Sequence, residues 1–130
     1  MAQKEVEVIL ARHLAEHLAM PIFIIDPHGE MLYYNEPAES VLGFRYSDTG
    51  PMSAGEWSTL FQPVDEDGQP LQPEDLPLMI AMMKQHPAHG SFWIQGLDQA
   101  RRKIEVTAFP LIGQMQRFMG AMAVFWETEA

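Results

Sequence analysis

The chain has 130 residues, 47% hydrophobic and 20% charged, which is the composition of one globular domain rather than of a disordered segment. Eighteen acidic against eight basic residues leave a formal net charge of −10, which argues against nucleic-acid and anionic-membrane partners, since both need clustered Lys and Arg. The lack of cysteine excludes a disulfide framework, a thiolate metal site, an iron–sulfur cluster, a cysteine nucleophile and any cysteinyl–flavin adduct.

No apolar run reaches the ~18 residues of a membrane span. The start, MAQKEVEV, lacks the apolar core of a secretory signal, so a cytoplasmic location is expected. Residues 3–19 read as an amphipathic helix with Val6, Leu10, Leu14 and Leu18 along one face and Ile9 widening the stripe. Met20-Pro21 ends it. PIFIID, the turn DPHG and MLYYN predict a β-hairpin across residues 22–34, with Gly29 free to take positive φ. Asn35 is a good N-cap for a short helix over 36–42, and Gly43 is its expected stop.

Residues 44–75 are the least regular stretch, with EWSTLF as one helical turn and Asp67-Gly68 as a bend. An irregular stretch of that length in a small domain raises a functional suspicion. LPLMIAMMKQ then predicts a helix over about 75–85, capped by Asp75 and ended before Pro87. The last third, SFWIQGL, RKIEVTAFPL and RFMGAMAVFW, reads as three strands joined by hairpin-length turns. The order of elements is that of an α+β fold with an antiparallel sheet.

PIFIIDPHGEMLYYNEPAESVLGF and IEVTAFPLIG…RFMGAMAVFWE together resemble the PAS domain family over about residues 20–127. The first segment resembles the family's opening through Asp26, Gly29, Asn35, Ala38, Leu42 and Gly43. The second resembles its closing strands, with Pro110 and Gly120 at their ends, and DEDGQPLQPEDLPL resembles a variant of many bacterial signalling PAS domains. The resemblance implies a five-stranded antiparallel sheet with helices over one face, enclosing a small pocket. Residues 1–19 would form the N-terminal helix and 20–127 the PAS domain. It further implies a sensory or signalling role without catalysis, in which a ligand or partner protein is sensed and an effector informed, or alternatively a ligand-free protein-interaction and dimerisation domain. Because FWETEA ends where such a domain hands over to its output, either an excised fragment or a single-domain signalling protein is expected.

Carried by that resemblance, the pocket candidates are Met79, Met82 and Met83 on the last helix, Ile104 and Val106, Met122 and Val124 on the strands, and Trp93. A slip of one residue in strand phase would exchange the faces. Met79, Met82, Met83, Met119 and Met122 suit a pliable pocket, and equally an ordinary core. Trp57 and Trp93 could stack on a planar ligand or simply pack. Haem or flavin would be the expected cofactor if one is held, with His86 and His89 as axial candidates that also suit a helix C-terminus. The leucine stripe Val6, Leu10, Leu14 and Leu18 is the expected homodimer surface.

His13-Leu14-Ala15-Glu16-His17 matches HxxEH, which puts two imidazoles on one helix face as zinc requires, but a third ligand would have to come from elsewhere. Asp65, Glu66, Asp67, Glu74 and Asp75 form an acidic cluster that misses the calcium-loop spacing and suits a solvated turn. No phosphate-binding loop, dinucleotide fingerprint or nucleophile elbow is present, since Ser53 and Gly55 have the wrong spacing.

Overall fold

The computed structural model describes residues 9, 10, 13, 14, 17–96 and 99–128. Ile9, Leu10, His13, Leu14 and His17 are helical and exposed, whereas Val6 lies outside the described residues. The chain enters the sheet through β1 (Ile22–Ile25), whose four residues are all buried. A turn then reverses it into β2 (Met31–Tyr34). Asp26 builds that turn, because its Oδ1 accepts from the backbone N–H of His28 at 2.8 Å and of Glu30 at 3.0 Å. Gly29 holds φ +87° there, which a side chain would strain, and a Cβ on it would come within 3.2 Å of Ala54 and Met82.

Asn35 caps α1 (Glu36–Leu42) by accepting from Ala38 N, with Pro37 in the first turn and Gly43 at the end. Glu39 Oε2 then takes the N–H of Tyr46 at 2.8 Å and starts the single turn α2 (Tyr46–Thr49). Two full turns follow as α3 (Ala54–Leu60), started by a capping box in which Ser53 Oγ takes Glu56 N and Glu56 Oε1 takes Ser53 N. The sequence reading allowed only one turn here, and the Ser53-x-x-Glu56 signature is what extends it.

The acidic loop after α3 is accounted for by turn chemistry. Asp65 Oδ1 accepts from Asp67 N and from Gln69 N, each at 2.9 Å. Glu66 pairs with Lys103 Nζ at 2.8 Å. Val64 and Trp93 exchange backbone hydrogen bonds of 2.9 and 3.0 Å, so this loop lies along the outer edge of β3. Asp75 belongs to a 3₁₀ turn (Pro73–Asp75) and accepts from Gln72 N, which leaves Leu76 rather than Asp75 at the cap of α4 (Pro77–Lys84).

β3 (Ala88–Gln95), β4 (Arg101–Ile112) and β5 (Phe118–Thr128) complete the sheet. Its order is β2-β1-β5-β4-β3 and every pairing is antiparallel. β3 starts three residues before the expected strand, so His89 sits in the sheet opposite Thr107 rather than in a loop. Gly120 is where β5 passes the end of β1: it holds φ +126°, and a Cβ on it would run into the carbonyl oxygen of Ile25. α4 packs on β3, β4 and β5. The five-stranded α+β architecture with helices over one face is therefore present, and among the described residues no helix is long and apolar enough to cross a membrane.

Each face of the sheet carries its own apolar cluster. The helix-covered inner face presents Phe23, Phe92, Ile104, Val106, Ala123 and Phe125 to the main core. The outer face carries Ile22, Ile24 and Met122, flanked by Tyr33, Phe109 and Val124. Alternation along each strand sends neighbours to opposite faces, which is why Ala123 and Met122 belong to different clusters.

Candidate functional site

A cavity of about 90 Å³ lies between the inner face of the sheet and the helices. The sheet supplies Ile104 and Val106 from β4, Ala123 and Phe125 from β5, Phe92 and Ile94 from β3, and Phe23 from β1. The opposite wall comes from Trp57, Ser58 and Phe61 at α3, with Leu76, Pro77 and Leu78 at the start of α4. Trp57 is held in place at both ends. Its indole N–H donates to the carbonyl oxygen of Gly29 at 2.7 Å, and its ring meets Phe23 edge-on with centroids 5.5 Å apart.

The wall holds two side chains with a polar hydrogen, and they differ. The Trp57 N–H is engaged as just described. Ser58 is 1% exposed and its Oγ has no hydrogen-bond partner. The rest of the lining is hydrocarbon and proline ring, so the cavity can receive an apolar body and offer it one hydroxyl.

The sequence candidates fall in several places. Ile104 and Val106 line the cavity. Met79 and Met82 pack against the main core beside it, the latter over Gly29. Met83 is 64% exposed, on the far side of α4. Met122 and Val124 lie on the outer face of the sheet, because β5 has the opposite phase: Ala121, Ala123 and Phe125 point inward. Trp93 is also off the cavity, between Phe92 and Ile94 in β3, with the Arg101 guanidinium 5.2 Å from its ring centroid. Trp57, a possible stacking ring in the sequence, lines the cavity, whereas Ser58 and Phe61 beside it were missed. The signal for them was the capping box followed by the i, i+4 aromatic pair Trp57 and Phe61.

Haem and flavin do not fit these residues. The cavity is well below the roughly 300 Å³ at which pockets for molecules of that size begin. Its one free hydroxyl cannot satisfy the several polar edge atoms of an isoalloxazine. His86 and His89 are exposed and outside the lining: His86 Nδ1 lies 2.9 Å from the Pro87 carbonyl oxygen, and His89 stands beside Trp126. His13 and His17 have ring centroids 6.5 Å apart and are exposed. Among the described residues no group of three or more His, Cys, Asp or Glu side chains is placed to hold a metal.

Beside the cavity the packing changes character. Phe23 stacks on Tyr34 with centroids 5.9 Å apart. The Tyr34 hydroxyl donates to the Phe44 carbonyl oxygen at 3.0 Å and lies 3.2 Å from Thr49 Oγ1. Burial pushes the Tyr34 hydroxyl above its ordinary pKa; the Thr49 hydrogen bond works against that shift, and the charges of Glu39 and Asp48 add to it.

A family model described as the PAS fold matches residues 10–52, a stretch spanning β1, β2, α1 and α2. Solved structures extend the match to nearly the whole chain. The PAS domain of Bordetella pertussis BvgS is 13% identical, with 97% of this chain and 89% of that one covered at a TM-score of 0.69. The PAS domain of an HTR-like protein from Haloarcula marismortui is 16% identical over 95% of this chain and 94% of that one, at 0.62. The Rhodobacter sphaeroides LOV protein is 9% identical over 96% of this chain and 69% of that one, at 0.74. No curated protein matches. The fold is thus the PAS fold, as the opening and closing segments of the sequence imply.

Proposed function

We propose that this chain is a PAS sensory module, without catalysis of its own, whose cavity takes a small apolar ligand. The observation that carries this reading is the cavity itself: an apolar space between sheet and helices with one unsatisfied hydroxyl in its wall. Occupancy would be passed on through repacking of the sheet and the N-terminal helix in a homodimer, and from there to an effector domain or partner protein. A ligand biases two such packings only by its different affinity for each. Leu10, Leu14 and Leu18 are 60%, 55% and 37% exposed, which supports a role for that stripe in the dimer. A cytoplasmic setting is part of the same proposal, and the net charge of −10 suits it.

Native mass spectrometry of the purified chain tests this reading, with a visible spectrum taken on the same sample. A colourless dimer, bare or carrying a small added mass, is the expected result. A monomer at micromolar concentration overturns the dimer, and a retained chromophore overturns the small apolar ligand. Xenon titration followed by NMR tests the cavity directly: shifts at Val106 and Phe125 are expected, and unmoved resonances overturn it.

A further inference from the structure

Building on the cavity as a ligand site, we infer that Ser58 selects the ligand, which is a small and chiefly apolar molecule carrying one hydrogen-bonding oxygen, such as a short cyclic or branched alcohol or ketone. Ser58 sits in α3, where a hydroxyl has a local alternative in the carbonyl four residues back. Its neighbour Thr59 takes that alternative, donating to the Gly55 carbonyl oxygen at 2.8 Å. Ser58 does not, and its Oγ stays unpaired in the cavity wall.

Water is a poor substitute for the missing partner. A buried water is held by about two to four polar groups, and this wall offers one free side-chain hydroxyl, since the Trp57 N–H is already bonded to Gly29. A ligand oxygen needs only the one bond, because the rest of its carrier is satisfied by Phe61, Val106 and Phe125. Size sets the other limit. The cavity, at about 90 Å³, is smaller than the engineered void of roughly 150 Å³ that takes benzene, so the ligand is smaller than benzene and about four heavy atoms is the upper range. The hydroxyl can donate to a ketone or ether oxygen and can both donate to and accept from an alcohol.

The test uses the full chain and two solutes of equal heavy-atom count, 2-propanol and isobutane, with xenon as a control for the cavity. Affinities are read from NMR shifts in the native chain and in Ser58→Ala. The variant is expected to weaken 2-propanol about three- to tenfold while leaving isobutane unchanged or tighter, so the ratio of the two affinities moves. The empty variant is also expected to melt at a higher temperature, since an unpaired buried hydroxyl has been removed. An unchanged ratio, with both solutes binding, overturns the role of Ser58 and leaves the cavity reading standing. Binding of xenon alone overturns the ligand class. A lower melting temperature for Ser58→Ala overturns the inference too, because it would mean that the hydroxyl serves the fold. If none of the three binds, the cavity reading fails along with it.

Discussion

Asn35 and Ser58 are the two buried polar side chains among the described residues, each 1% exposed, and they are used in opposite ways. Asn35 Oδ1 accepts from Ile22 N at 2.9 Å and from Ala38 N at 3.1 Å, while its Nδ2 donates to the Met20 carbonyl oxygen at 2.9 Å. One amide thus joins the entry of β1 to the start of α1. Ser58 joins nothing. A buried polar group that bonds stabilises; one that does not costs about 1–3 kcal/mol of desolvation. The contrast separates a corner of the domain built for stability from a wall that gives some up.

The widest gap between the two should appear in Asn35→Ala. It removes a helix cap and strands the backbone N–H of Ile22, so a loss of about 2–4 kcal/mol is expected in urea denaturation. A loss below about 1 kcal/mol would mean that water replaces the side chain. Trp57→Phe comes next. It keeps most of the ring but leaves the Gly29 carbonyl oxygen without its donor, for about 1–3 kcal/mol by the same assay.

Tyr34→Phe loses the hydrogen bond to Phe44 and costs about 1 kcal/mol at neutral pH. It also tests the direction of the Tyr34 shift. A phenol whose folded pKa is raised keeps its proton where the unfolded chain releases it. The stability it contributes is complete below the unfolded value of about 10 and is lost as pH rises past it. The native chain should therefore lose stability above that pH more steeply than Tyr34→Phe, as read from melting temperatures across the alkaline range. Ser58→Ala has the smallest effect and the opposite sign, a gain of about 1 kcal/mol and a rise of a few degrees in Tm by calorimetry. A loss there would put Ser58 in the same category as Asn35.

Much of this was legible wherever a local signal sufficed. Asp26 and Gly29 mark the first turn, Asn35 and Gly43 bracket α1, and Pro77 and Pro87 bracket α4. Phase in β5 was not legible, because FMGAMAVFW is apolar at odd and even positions alike, so alternation cannot say which set faces the helices. Met122 and Val124 were therefore placed on the wrong side, whereas Ile104 and Val106 alternate with Glu105 and Thr107 and read clearly. Met83 was misplaced for a related reason: α4 is apolar almost all round, and only its packing on the sheet decides which side is covered. Ser58 could not be found from sequence, since what distinguishes it from Thr59 is the direction of one hydroxyl.

The cavity also leaves a mark on molar volume. About 90 Å³ of empty space per molecule is about 50 mL per mole, comparable to the whole volume decrease of roughly 20–100 mL per mole that accompanies unfolding of small proteins. Hydrostatic pressure favours the smaller state. This domain should accordingly unfold at lower pressure than a void-free protein of equal stability, and a solute seated beside Ser58 should raise that pressure by filling the space that unfolding would otherwise eliminate.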